Sequence, residues 1–223
     1  MGSVADDLIH AFPEPLWPEA EAPVRLLLRR IEAPRFLPGD KERFFLSVTV
    51  EGGLVAIPYR IYDDEAFPRL APERLFEAFA ELLNGRDLSA RQTSMFFCLL
   101  SRHHNGIVRE AALCRITAAH EAFTAPFITQ LAAEYVYEIL MQIRLRIAEF
   151  DPHLFGAFFR ANPDFLAVSR QRMISYWSCY YRRRDYTGAD GELCHHKHDR
   201  YIGFDIFEAF AAMARQDGAP ERP

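Results

Sequence analysis

Lysine is nearly missing from this chain. Lys41 and Lys197 are the only two among 26 basic residues, so arginine carries almost all of the positive charge. Against 31 acidic residues the formal net charge is −5. That balance excludes a general nucleic-acid binder, whose sequence-independent affinity comes from a basic surface that releases counterions. Cysteine is also sparse. Cys98, Cys114, Cys179 and Cys194 stand far apart without a CxxC pair, which excludes a small domain stapled by disulfides. No apolar run approaches the roughly 18 residues of a membrane span, so no membrane partner is expected. The N-terminal "MGSVADDLIHAFPEP" has no basic stretch leading into an apolar one, and a cytoplasmic location is the default expectation. Asp6 and Asp7 stand where myristoylation of Gly2 would want a hydroxyl residue. A phosphate loop, GxGxxG, GxSxG and HExxH are all absent, which removes the enzyme classes that those motifs mark.

What the chain does have is apolar and aromatic mass. Half of its 223 residues are hydrophobic, and 19 Phe and 9 Tyr are among them, enough for a bulky core. Residues 1–22, with Pro13, Pro15 and Pro18, read as an extended Pro-rich arm. A single helical domain is expected over 23–216, with a β-hairpin at 43–62 and a disordered tail at 217–223. Taking Gly52-Gly53 as the hairpin turn pairs Val50 with Val55, Val48 with Ile57, Leu46 with Tyr59 and Phe44 with Ile61, all apolar and on one face. Pro58 then falls opposite Ser47, where the ladder wants a donor.

From residue 72 the pattern is helix after helix. Pro72 opens "PERLFEAFAELLNG", which Gly85 stops. Ser89 and Gln92 form a capping box. Thr124 and Pro126 open a long apolar helix running to Phe150, with Gln130, Glu134 and Glu138 as its polar ridge. Asp151-Pro152 and Asn162-Pro163 mark two further starts. "GFDIFEAFAAMAR" closes the fold with a stripe of Ile206, Phe210 and Met213. The expected fold class is mainly α: a helical array of about seven to eight helices with an N-terminal β-hairpin.

A polar turn, "HHNG", followed by a helix beginning Val108-Arg109-Glu110, with Ala112 and Leu113, resembles the HEAT repeat family over roughly residues 89–120, close to one repeat unit. The resemblance implies that Val108, Ala112 and Leu113 pack and that Arg109 ties adjacent turns by hydrogen bonds. It also implies a surface built for partners. His103 and His104 then occupy a helix end, where their side chains suit free carbonyls and the helix dipole.

The segment 182–201 concentrates what chemistry there is. Cys194, His195, His196 and His198 are competent zinc ligands, but they form one dense cluster, whereas zinc sites pair ligands from two segments. Arg182, Arg183, Arg184, Tyr186, Arg200 and Tyr201 are candidate partner anchors, and Arg among aromatics can also grip phosphates and bases. Trp177 and Tyr180 are expected in the core. The favoured reading is a non-catalytic protein-interaction module with no cofactor, docking a protein partner through helix ridges and the 182–201 loop. The alternatives are a zinc-binding protein or metalloenzyme using the Cys/His cluster, and a nucleic-acid binder through the Arg182–Arg184 and Tyr patch.

Overall fold

A computed structural model of the chain describes residues 4–31, 45–62, 72–116, 121–182, 185–187, 193–195 and 201–216, with the backbone alone for 72–73, 185–187 and 193–195. The protein is mainly helical with an N-terminal β-hairpin. Its residues gather into two compact units, Met1–Phe127 and Ile128–Pro223, a finer division than the single domain expected over 23–216. The expected tail at 217–223 lies outside the described residues.

The first unit begins with helix, where an extended arm was expected. Helix α1 spans Val4–Ile9 and α2 spans Trp17–Arg30. Pro18 falls in the first turn of α2, where its missing N–H costs nothing. Pro23 lies inside α2 and leaves the Glu19 carbonyl without its usual donor. The Gln92 amide fills that gap, donating from Nε2 to Glu19 O at 3.1 Å. A tertiary contact thus rescues a helix that local sequence disfavours. Phe12, between the two helices, is fully buried against Phe123 and Phe127.

Strands β1 (Phe45–Val50) and β2 (Gly53–Pro58) form the hairpin, in a register shifted from the expected one. Val50 faces Gly53, Val48 faces Val55 and Leu46 faces Ile57. The turn is therefore Glu51-Gly52, with φ of 50° and 80°, the two positive values that a type I′ turn requires. The shift also places Pro58 at the end of the ladder, opposite Phe45, where its missing N–H interrupts nothing. Each residue's partner moves by two positions and not one, so the buried face survives: Val48, Val50, Val55 and Ile57 are all within 2 % of full burial. Ala56 N donates to His10 O at 2.8 Å and ties β2 to the end of α1. Glu51 carries the left-handed conformation that side chains resist, so Glu51→Gly should raise stability by about 0.5–1 kcal/mol, read as a higher urea midpoint.

Helices α3 (Pro72–Leu83), α4 (Ala90–Leu100) and α5 (Gly106–Leu113) complete the helical layer of this unit. The Ser89–Gln92 capping box forms with both of its hydrogen bonds, at 3.0 and 3.1 Å. α2 and α5 pack on α4, and α3 packs on α5. Phe79, Phe96 and Phe97 interlock edge to face at their centre.

The long helix expected from Pro126 to Phe150 is two helices, α6 (Ala125–Ala132) and α7 (Tyr137–Arg146). The break has a local cause. Ala133 N and Glu134 N close tight turns onto Gln130 O and Leu131 O, and Val136 takes an extended conformation. The polar ridge is broken too, since Gln130 and Glu134 are buried and Glu138 is exposed.

In the second unit α8 (Pro152–Ala161) and α9 (Pro163–Tyr176) follow α7, and α10 (Ile202–Arg215) packs on both α8 and α7. Asp151 caps α8 by accepting from His153 N and Leu154 N at 2.8 and 3.3 Å. Asn162 does not cap α9 as expected. Its amide instead donates back to Phe158 O at 2.8 Å, closing the end of α8. Ile206, Phe210 and Met213 are buried, with the Phe210 ring 4.9 Å from that of Phe159.

Candidate functional site

After α9 the chain widens into a π-turn, Trp177–Tyr181, in which Arg182 N donates to Trp177 O at 2.8 Å. Such turns are rare and are frequently found at functional sites, because the extra residue re-aims the side chains around it. Here Trp177 points inward, 8 % exposed and edge-on to Phe204 at 5.4 Å. Tyr180 goes the other way. At 45 % exposure it is a surface residue, not the core residue expected from the sequence.

The π-turn sorts six of the nine tyrosines into two triads. Tyr135, Tyr176 and Tyr180 form the outer one, with ring centroids 5.5, 5.6 and 6.1 Å apart and planes inclined at 60°, 38° and 30°. Tyr135 is 47 % exposed. Tyr137, Tyr181 and Tyr201 form the inner one, at 6.0, 5.2 and 6.3 Å. The Tyr181 hydroxyl joins the two by donating to Tyr135 O, a carbonyl freed by the break between α6 and α7. The broken helix and the π-turn therefore position the same cluster.

Of the anchors expected from sequence, Arg182 is exposed, with its guanidinium 5.7 Å over the Trp177 ring. Tyr201 is not a surface anchor: it is 1 % exposed, and burial beside Tyr181 and Tyr137 pushes its phenol well above the ordinary range. Asp185–Thr187 and Leu193–His195 form strands β3 and β4, a hairpin that places Tyr186 opposite Cys194 and Asp185 opposite His195. Arg183, Arg184, His196, His198 and Arg200 lie outside the described residues. Tyr176 belongs to the aromatic run beside the arginines that the sequence already marks, whereas Tyr135 lies 41 residues earlier in an apolar run, and nothing in the sequence links the two.

Among the described residues no group of three or more His, Cys, Asp or Glu is arranged to hold a metal ion. The Cys98 thiol is fully buried and pushed well up by desolvation, whereas Cys114 is half-buried. His103 is fully buried, and its Nδ1 accepts from Asn105 N at 3.1 Å, which places the ring proton on Nε2. Arg109 donates to His103 O and His104 O at 3.0 and 2.7 Å. These side chains shape the α4–α5 turn.

The chain matches no family model, no curated protein and no solved structure. No helix among the described residues is long and apolar enough to cross a membrane.

Proposed function

We propose that the protein is a non-catalytic interaction module that docks a protein partner, with the outer tyrosine triad and Arg182 as its anchor. The observation that carries this reading is a group of three tyrosines in mutual contact, two of them about half exposed, fixed on helix ends and flanked by an arginine stacked on Trp177. Tyrosine and arginine are enriched among the residues that concentrate binding energy at interfaces, tyrosine because its ring offers large contact area with few rotamers to freeze and arginine because its planar fork makes several hydrogen bonds at once. A HEAT-like layer at α4–α5 is part of the same proposal, with its ridges as additional docking surface.

A photo-crosslinking residue in place of the exposed Cys179, on the same π-turn, would identify the partner, whose affinity for the purified chain is then measured. The double variant Tyr135→Ala/Tyr180→Ala should weaken binding by roughly tenfold or more, the effect of losing ring anchors. Unchanged affinity with the purified partner would overturn the reading. The metal-binding alternative is read separately by native mass spectrometry. The interaction reading expects that replacing His195, His196 and His198 together with Ala leaves metal content and Tm unchanged, whereas a stoichiometric metal lost on that replacement would establish a metal centre.

A further inference from the structure

We infer that the first unit carries a second docking surface, a groove along α1 and α2 that takes an amphipathic helix of a protein partner, laid antiparallel to α2. This surface is separate from the tyrosine triad, whose residues belong to the other unit.

Shape is the first argument. Two cavities of about 430 and 620 Å³ open between α1 and α2, and Asp6, Ile9 and Glu21 line both, so they form one groove. On α2 the lining residues Pro18, Glu21, Arg25 and Leu28 follow at steps of three and four, the spacing of a single helix face. Ala5 and Ile9 supply the facing stripe on α1. The floor is apolar: Ile9, Val24 and Leu28 line one part, Trp17 and Pro18 the other. The Trp17 indole is fixed there by its Nε1–H, which donates to Phe12 O at 2.9 Å. From Trp17 to Arg29 the groove follows α2 for about 18 Å at the helical rise, the length of a helix of three turns or so. Among the described lining residues only His10 lies outside a helix or the 3₁₀ turn Glu14–Leu16. The groove therefore offers side-chain ridges at helical spacing and no strand edge for an extended peptide to pair with.

Charge is the second argument, because the groove is divided by sign along its length. The cavity at Trp17 carries Asp6, Glu14, Glu21 and His10, and neither Arg nor Lys among the described residues. The other cavity adds Arg25 and Arg29 to the shared Asp6 and Glu21. A smaller cavity of about 170 Å³ adjoins at Arg25 and Arg29, and the further charge on its wall among the described residues is Arg86. The groove thus runs from an acidic end to a basic one. Glu21 and Arg25 meet at the boundary 3.4 Å apart, with both side chains more than half exposed, an ion pair weak enough to yield to a partner's charges. An amphipathic helix carries the matching division in its most stable form, with acids in its first turn and bases in its last, each favoured by its own dipole. Its acids reach Arg25, Arg29 and Arg86 while its bases reach Asp6, Glu14 and Glu21 only when it runs antiparallel to α2. That orientation also opposes the two helix dipoles, so complementarity selects a single direction.

The test titrates the full chain with a fluorescent bipolar peptide: Leu at i, i+3, i+4 and i+7, Glu in the first turn and Lys in the last. Three comparison peptides keep the leucines and carry only Glu, only Lys, or the bipolar charges with a central Pro that breaks the helix. The expected result is saturable binding of the bipolar peptide, roughly tenfold or more tighter than any of the three. Arg25→Glu/Arg29→Glu, at two exposed positions, should reverse the preference, so that the all-Lys peptide binds tighter than the bipolar one. Far-UV circular dichroism reports whether that variant folds. If it does not, Glu14→Lys, outside both helices, should weaken the bipolar peptide severalfold. Equal binding of the Pro peptide would overturn the helical occupant. Equal binding of the all-Glu or all-Lys peptide by the parent chain, or a preference unmoved by either variant, would overturn the charge match. Sedimentation showing a dimer that Arg25→Glu/Arg29→Glu breaks would replace the partner helix with a second copy of this chain. No saturable binding of the bipolar peptide up to about 1 mM, combined with a crosslinked partner that still depends on Tyr135 and Tyr180, would overturn this inference alone and leave the interaction reading standing.

Discussion

Replacing Arg102 with alanine should remove much of the stability of the N-terminal unit. Arg102 is 1 % exposed, and its guanidinium donates to Pro58 O at 3.2 Å, to Tyr59 O at 2.8 Å and to Ser101 O at 3.4 Å. Those carbonyls belong to the exit of β2 and the end of α4. The same junction holds a backbone bridge, in which Ile61 N donates to Arg102 O and His104 N to Ile61 O, each at 2.8 Å. Removing the side chain leaves buried acceptors without their donors and a cavity where the stem lay. The cost should be about 4 kcal/mol, a large share of the 5–15 kcal/mol typical of a folded domain. Arg102→Lys should cost about 2 kcal/mol, because a single ammonium cannot reproduce the planar fork that reaches Pro58 and Tyr59 together. The two tryptophans fall one in each unit, so Trp17 fluorescence in a Trp177→Phe background reports this unit. An unfolding free energy from urea titration that stays within about 1 kcal/mol of the parent would show that the junction does not depend on this guanidinium.

The second large effect is expected at Gly156. On helix α8 it meets α10 so closely that an added Cβ would overlap the Met213 carbonyl oxygen and lie 3.2 Å from the carbonyl carbon. In an open helix Gly→Ala gains about 1 kcal/mol of propensity. At this position the obstacle is backbone, which cannot rotate away, so Gly156→Ala should instead destabilise by about 3 kcal/mol. Gly203 provides the comparison. Its added Cβ would meet Met173 Sδ at 2.8 Å and Cγ at 2.9 Å, and Tyr201 Cε1 at 2.8 Å, all side-chain atoms. Met173 can change rotamer and the Tyr201 ring can tilt, so Gly203→Ala should cost less than Gly156→Ala, about 2 kcal/mol. Trp177 fluorescence in a Trp17→Phe background reads both. Equal costs for the two substitutions would mean that α10 shifts as readily as a methionine side chain does.

The tyrosine site was only partly legible in advance. Arg182 could be found because it stands in a run of arginines, and its neighbourhood in sequence is dense with aromatics. Tyr135 could not, because its place depends on a helix break that the apolar run from Pro126 conceals. Tyr180 reads as core by helical spacing, and only the π-turn, with its bond from Arg182 N to Trp177 O, turns it outward. Tyr201 failed in the opposite direction. It follows a charged stretch in sequence, yet it lies against Tyr181 and Tyr137 in the interior of its unit.

By itself the sequence determined the class of fold and most helix ends, because these are local properties. The Ser89–Gln92 box, the Asp151 cap, the Gly85 stop and the buried stripe of α10 each follow from residues within a turn or two of one another. It also determined which face of the hairpin is buried, since strand parity survives a two-residue shift in register. Tertiary structure decided the rest, wherever a backbone group lost its local partner and found a distant one. Gln92 supplies the donor that Pro23 lacks and turns an expected arm into a helix, and Tyr181 caps the carbonyl that the break before α7 exposes. Hydrogen bonds between residues tens of positions apart leave no periodic trace in a sequence, and in this protein they hold together the surface proposed for binding.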